Sequence, residues 1–265
     1  MAKLKVDRGE IFFQVLGEGQ PVVMLRGLGR SIRHWLGFEK KIAEYFRVIC
    51  IDARGIGRSS AVAPWALTID SMASDVALVL DHLEIPAAHL FGISLGGMVA
   101  LSFGMNYPDR ALSITAINAS VGAGRNLRLS PKGMTILLRA IKDPRARHDL
   151  LAQVLLAPGA TDGRLRKIAN SWRKIESEEG TSVATVIKQL GAAIRFWPGD
   201  RLAALKPRTM IVVGTADQFV PPDNSRIIHR RIPGAELVEI SGAGHELNYD
   251  KPDELADAFR KFAAG

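Results

Sequence analysis

Short runs of β-branched residues alternate with helix-period patterns along most of this chain, and that alternation is what most constrains its fold. It predicts βα units stacked into a mostly parallel, doubly wound sheet with helices on both faces. The expected strands are Ile11–Leu16, Val22–Leu25, Val48–Ile51, His89–Phe91, Leu112–Ile117, Met210–Val213 and Leu237–Ile240. Between them, Met72, Val76, Val79, Leu80 and Leu83 recur at helical spacing, which predicts a helix over Ser71–Leu83 capped by Thr68 or Asp70. Leu255, Phe259 and Phe262 share one face of an amphipathic helix over Pro252–Ala263. No stretch approaches the ~18 apolar residues of a membrane helix. No apolar segment follows the N-terminal lysines, so a cytoplasmic protein with no membrane attachment is expected. The single cysteine, Cys50, lies in an apolar run and is expected to be a buried packing thiol.

The alternation stops between Val121 and Arg201. Leu137, Leu138 and Ile141, then Leu150, Leu151, Val154 and Leu155, then Val183, Val186, Ile187 and Leu190 form apolar stripes separated by breaks such as Ala157-Pro-Gly-Ala160. The expectation is a helical insertion, residues 121–201, in a sheet domain made of 1–120 and 202–265. The insertion carries 15 Lys/Arg and 7 Asp/Glu, the rest of the chain 20 of each, so the whole formal charge of +8 belongs to the insertion. Basic side chains on exposed helices keep such a segment soluble. They would also steer an acidic partner, such as a carrier protein bearing an acyl group. Nucleic acid is not expected, because the segment has few aromatics besides Trp172, Phe196 and Trp197 and matches no nucleic-acid module.

Chemistry is concentrated at strand ends. Phe91-Gly92-Ile93-Ser94-Leu95-Gly96-Gly97-Met98 reads as strand, Gly-x-Ser-x-Gly turn, then apolar helix, a context that holds a serine hydroxyl exposed on a strained turn beside helix N–H groups. A serine needs a base to become a nucleophile, and the base needs an orienting acid. Asp217 follows one expected strand and His245 follows the next, giving the order Ser94, Asp217, His245 with each at the carboxyl end of a strand. The other histidines, at 34, 82, 89, 148 and 229, lack metal-ligand spacing, so no metal is expected. The Gly-x-Gly pairs at Gly27/Gly29, Gly55/Gly57 and Gly122/Gly124 lack the third glycine of a dinucleotide site, and no cofactor is expected.

Through these residues the chain resembles the α/β-hydrolase superfamily over nearly its whole length. Asp52-Ala-Arg-Gly-Ile-Gly-Arg-Ser59 is similar to a loop of that family, Gly214-Thr-Ala-Asp-Gln-Phe-Val-Pro221 to its acid loop, and Gly242-Ala-Gly-His-Glu246 to its histidine segment. The resemblance implies that residues 121–201 are a cap and that the backbone N–H groups of Leu28 and Leu95 form an oxyanion hole. Where the family usually has histidine before that loop glycine, this chain has Arg26, which is expected either to hold the loop or to contact substrate. Trp35 is expected to pack or to wall the pocket, and Asp52, Arg54 and Ser59 to hold their loop by hydrogen bonds. The implied activity is a serine hydrolase acting on a carboxylic ester or related acyl compound. Lactone, thioester and carbon–carbon substrates remain open, as does a ligand sensor with the same fold. The charge distribution is similar to that of pimeloyl-carrier-protein methyl esterases within the superfamily.

Overall fold

The computed structural model describes residues 2–60, 62, 64–121, 129–180 and 182–265; Gly122 and Gly124 lie outside them. Eight strands form one sheet: β1 (Ala2–Val6), β2 (Gly9–Leu16), β3 (Pro21–Leu25), β4 (Arg47–Ile51), β5 (Ala88–Ile93), β6 (Ala111–Ile117), β7 (Thr209–Gly214) and β8 (Glu236–Ile240). Their spatial order is β1-β2-β4-β3-β5-β6-β7-β8. β1 pairs antiparallel with β2, and β2 with β4; every other pairing is parallel. β5 and β7 are buried along their whole length, which is why they read as unbroken apolar runs. β1 was not among the expected strands. It is an edge strand with Lys3 and Lys5 exposed, so the apolar alternation that marks a strand is muted.

Ten α-helices pack around the sheet among the described residues. Those that matter below are α1 (Phe38–Ala43), α2 (Ile69–His82), α3 (Leu95–Asn106), α4 (Pro131–Lys142), α5 (Arg147–Leu155), α6 (Asp162–Glu179), α7 (Val183–Arg195), α8 (Asp223–Arg231), α9 (Leu247–Asp250) and α10 (Pro252–Ala264). Thr68 caps α2: its hydroxyl accepts the Ser71 N–H at 3.0 Å, and the Ser71 hydroxyl accepts the Thr68 N–H at 3.1 Å. One face of the sheet buries α2, α3 and α8, with Val76, Leu80, Leu101 and Ile228 in that layer. The other buries α1 and α10 through Phe38, Ile42, Leu255 and Phe259. Cys50 is fully buried in this second layer, and burial pushes its thiol well up.

Helices α4 to α7 lie between β6 and β7, and no strand occurs among the described residues of 121–201. Ser130 caps α4, accepting the Gly133 N–H at 2.8 Å, with Pro131 in the first turn. The buried face of α4 is Gly133, Ile136, Leu137 and Ala140, a helical spacing that turns Leu138 outward, 51% exposed, so the expected stripe is narrower than its sequence suggested. Ile136, Leu155 and Trp172 form a small core with Phe219 and Val220 of the sheet domain. Tyr249 ties the two parts together, accepting from Trp172 Nε1 at 3.2 Å and donating to the His34 carbonyl. Three arginines of this segment are in ion pairs: Arg147 with Glu176 and Arg173 with Asp149 inside it, and Arg164 with Asp250 of the sheet domain.

Candidate active site

Because β3 and β5 are neighbours with β4 on the far side of β3, the direction of strand succession reverses between them. Loops after β3 and β5 diverge at that point and leave a crevice, the usual ligand position in open α/β sheets. Ser94 follows β5 there, as the residue before α3.

The Ser94 turn is dictated by three glycines. Ser94 sits at φ 57° and ψ −117°, a strained conformation for any residue with a Cβ. A Cβ on Gly92 would stand 2.1 Å from the Gly96 carbonyl oxygen, one on Gly96 2.2 Å from the Leu25 carbonyl oxygen, and one on Gly97 2.9 Å from Ala119 Cβ. Only glycine permits strand, turn and helix to approach this closely. The loop after β3 comes equally near, since a Cβ on Gly27 would lie 3.3 Å from Ser94 Cβ. Leu28 and Leu95 are thus adjacent to Ser94, and neither N–H enters a turn or cap hydrogen bond among the described residues. Asp52 steadies this loop from below. Its carboxylate accepts the Ile32 N–H at 2.7 Å and the Arg58 N–H at 2.9 Å, while Ser59 donates to its carbonyl at 2.7 Å. Burial pushes the Asp52 carboxyl up to about 7 in spite of those two donors. Arg54 makes a forked pair with Asp75 at 2.8 to 3.1 Å.

His245 and Asp217 arrive from the ends of β8 and β7. His245 Nδ1 lies 2.7 Å from Asp217 Oδ2, and the other oxygen of Asp217 accepts the N–H groups of Phe219 and Val220 at 2.8 and 2.9 Å. Burial disfavours the imidazolium of His245, but the Asp217 charge and hydrogen bond, aided by Glu246, outweigh it and raise the pKa above the ordinary value. Asn118, at φ 44°, clamps the His245 loop. Its Nδ2 donates to the carbonyls of Gly244 and His245 at 3.0 and 2.9 Å, and its Oδ1 accepts the Gly214 N–H at 2.9 Å. In the sequence Asn118 is an amide, not an acid, at the end of β6. A polar residue ending an apolar strand was the available signal, though its partners were not.

Ser94 and His245 line one cavity of about 110 Å³, whose apolar wall includes Leu137, Ile141 and Leu151 of the helical segment. A second cavity of about 30 Å³, lined by Leu95, Met98, Leu190 and Phe219, also reaches Ser94. Neither Arg26 nor Trp35, each expected either to be structural or to contact substrate, lines either one. Arg26 points into the protein: its Nη2 holds both carboxylate oxygens of Glu246 at 2.8 and 3.1 Å, and its Nη1 donates to Asn248 at 3.3 Å. Trp35 is 1% exposed, packed on Phe38 and Phe91 with the Arg26 guanidinium 4.6 Å from its ring. Of the two roles the sequence left open for each, these contacts favour the structural one, and the substrate contact is not seen for either. An arginine in a buried loop needs a counter-charge, and the adjacent carboxylate beside His245 supplies it. That pair also holds Glu246 below the ordinary carboxylate range, Arg26 and Arg30 overcoming the opposing effect of burial.

Comparison with known proteins agrees with this geometry. The family described as alpha/beta hydrolase fold matches residues 20–252. A protein named "Putative carbamate hydrolase RutD" from Caulobacter segnis is 27% identical over 256 residues, 93% of this chain and 92% of its own. The 2-hydroxy-6-oxo-6-phenylhexa-2,4-dienoate hydrolase of Comamonas testosteroni is 27% identical over 253 residues, 92% of this chain and 88% of its own. Among solved structures, a thermophilic esterase from Thermogutta terrifontis, with malate bound, is similar at a TM-score of 0.78 and 26% identity, covering 100% of this chain and 98% of that one.

Proposed function

The chain belongs to the alpha/beta hydrolase fold family, and from that premise we propose that it is a serine hydrolase of carboxylic esters or closely related acyl compounds. The observation that carries this reading is the 2.7 Å contact of His245 Nδ1 with Asp217, on a histidine that shares a cavity with Ser94. In the proposed reaction Ser94 Oγ attacks the carbonyl while His245 Nε2 takes its proton, and the Leu28 and Leu95 N–H groups receive the oxyanion. Asp217 holds the ring in the required tautomer and stabilises the imidazolium. His245 then returns the proton to the leaving group. Water, activated by the same histidine, releases the acid from the acyl-enzyme. Residues 121–201 act as a cap that supplies the apolar wall.

The same machinery would serve a carbamate or an oxo-dienoate, the compounds for which two relatives are named, so all three belong in one assay. Turnover of p-nitrophenyl esters from acetate to decanoate, of a carbamate and of an oxo-dienoate is compared between wild type and Ser94→Ala. The variant is expected to keep its fold and lose roughly 10⁶-fold in kcat on whichever class is turned over. A folded Ser94→Ala that hydrolyses at close to the wild-type rate would overturn the assignment.

A further inference from the structure

The cavity beside Ser94 is also lined by Arg30, His34, Arg147, His148 and Glu176, none of which acyl transfer uses. Their charges do not balance. Glu246 is taken by the two-point contact from Arg26, and the two side chains are only 5% and 2% exposed. Glu176 is taken by Arg147 and by His148 Nε2 at 2.5 Å. That leaves Arg30. Its closest carboxylate contact is Glu246 Oε1, 4.0 Å from Nε, the outer limit of an ion pair to an acid already engaged. The guanidinium stacks on Trp172 at 3.8 Å, its side chain is 8% exposed, and its Nη2 is buried with no hydrogen-bond partner among the described residues.

A buried guanidinium cannot relieve its position by losing a proton, so an unmatched one is stable only if something anionic meets it. His34 adds a second donor to the same wall. Its Nδ1 accepts the Ser31 N–H at 3.1 Å, and burial, reinforced by the charges of Arg30 and Arg26, holds it well below the ordinary histidine range. The ring is therefore neutral with its one proton on Nε2. His148 Nδ1 is also buried without a partner, and with the Nε2 proton directed at Glu176 it offers a lone pair that a hydroxyl on the same ligand would meet.

We propose that Arg30 is a specificity residue and that this cavity takes acyl substrates bearing a carboxylate, received by the Arg30 guanidinium and the His34 Nε2–H while the scissile carbonyl lies at Ser94. This rests on the acyl-transfer reading above and narrows its substrate class.

The test uses two esters of equal length, p-nitrophenyl pentanoate and mono-p-nitrophenyl glutarate. Wild type is expected to favour the glutarate at least tenfold in kcat/KM. Arg30→Met should collapse that ratio by tenfold or more, and Arg30→Lys should restore part of it. Calorimetric titration of glutarate into Ser94→Ala reads the subsite without turnover, and adding Arg30→Met should weaken binding at least tenfold. If Arg30→Met does not fold, Arg30→Lys carries both measurements, with a smaller fall in the same direction. No preference in wild type, an unchanged ratio in the folded variant, or glutarate binding that ignores residue 30 would overturn the proposal. Failure of the nucleophile assignment is seen separately, as turnover surviving in Ser94→Ala.

Discussion

The turn carrying Ser94 and the loop carrying His245 reach the same cavity by opposite means. The turn is held by missing side chains: at Gly92, Gly96 and Gly97 a Cβ would collide with its neighbours, in the first two cases with backbone. The loop is held by buried polar groups, with Asn118, Asp217 and Asp250 bonding its backbone or ring and the Arg26–Glu246 pair beneath it. The glycines that set the steric shape fall within one short stretch, although Leu25 and Ala119, which two of them approach, lie outside it. Electrostatic support is written across the chain, between partners 126 residues apart for Asn118 and Gly244 and 220 apart for Arg26 and Glu246.

The largest effect should come from breaking the steric support. Gly96→Ala places a methyl group 2.2 Å from the Leu25 carbonyl oxygen, where only backbone can yield. A loss of about 5 kcal/mol or more is expected, and urea unfolding measures it; a loss below about 1 kcal/mol would show that the close approach is not what fixes the turn. Removing one member of the electrostatic support comes next. Arg26→Met leaves Glu246 buried with only the 4.0 Å contact to Arg30 Nε and should cost about 3 kcal/mol. The contrast sharpens in the double variant Arg26→Met with Glu246→Leu, which should recover part of that loss because the Arg26–Glu246 pair is removed as a unit, leaving Arg30 as the buried charge at that place. No such second-site rescue is expected for Gly96→Ala.

A smaller effect appears in pH dependence. In the proposed reaction His245 must be neutral to accept the Ser94 proton, and its raised pKa keeps it protonated to a higher pH than a free imidazole. Activity is therefore lost as pH falls, with an acid limb in kcat/KM above the ordinary value of about 6.5 and a decline of about tenfold per pH unit below it. The same shift runs the other way for stability: its contribution is full below the unfolded value and disappears as pH rises through the folded one. In Asp217→Asn the residual activity should show a limb moved to lower pH; a limb unmoved would mean that Asp217 does not govern the ring. The smallest effect belongs to Thr68→Ala, remote from both supports. Losing the α2 cap should cost about 1 kcal/mol in thermal or urea unfolding and leave the acid limb where it was.

This division also explains what the sequence disclosed. Buried parallel strands such as β5 and β7 announce themselves because both faces are apolar, whereas β1 exposes Lys3 and Lys5 and does not. The Gly-x-Ser-x-Gly turn is legible because its glycines lie together in the sequence, and Asp217 and His245 because each follows a strand in a fixed order. Arg26 was visible as a departure, but its partner Glu246 was not, since nothing in either neighbourhood encodes a contact across most of the chain. Arg30 was not singled out at all. A charged residue after Gly27-Leu28-Gly29 reads as solvent-facing until Trp172, from the helical segment, is seen to cover it.

The long reach of the Arg26 contact bears on how the chain is made. Arg26 leaves the ribosome early and Glu246 emerges 220 residues later, a delay on the order of tens of seconds. Throughout that interval the loop after β3 carries a charge whose buried place in the fold has no counter-ion yet. A chain interrupted before residue 245 therefore carries Ser94 and Arg26 but lacks both His245 and the counter-charge that Arg26 meets in the finished fold.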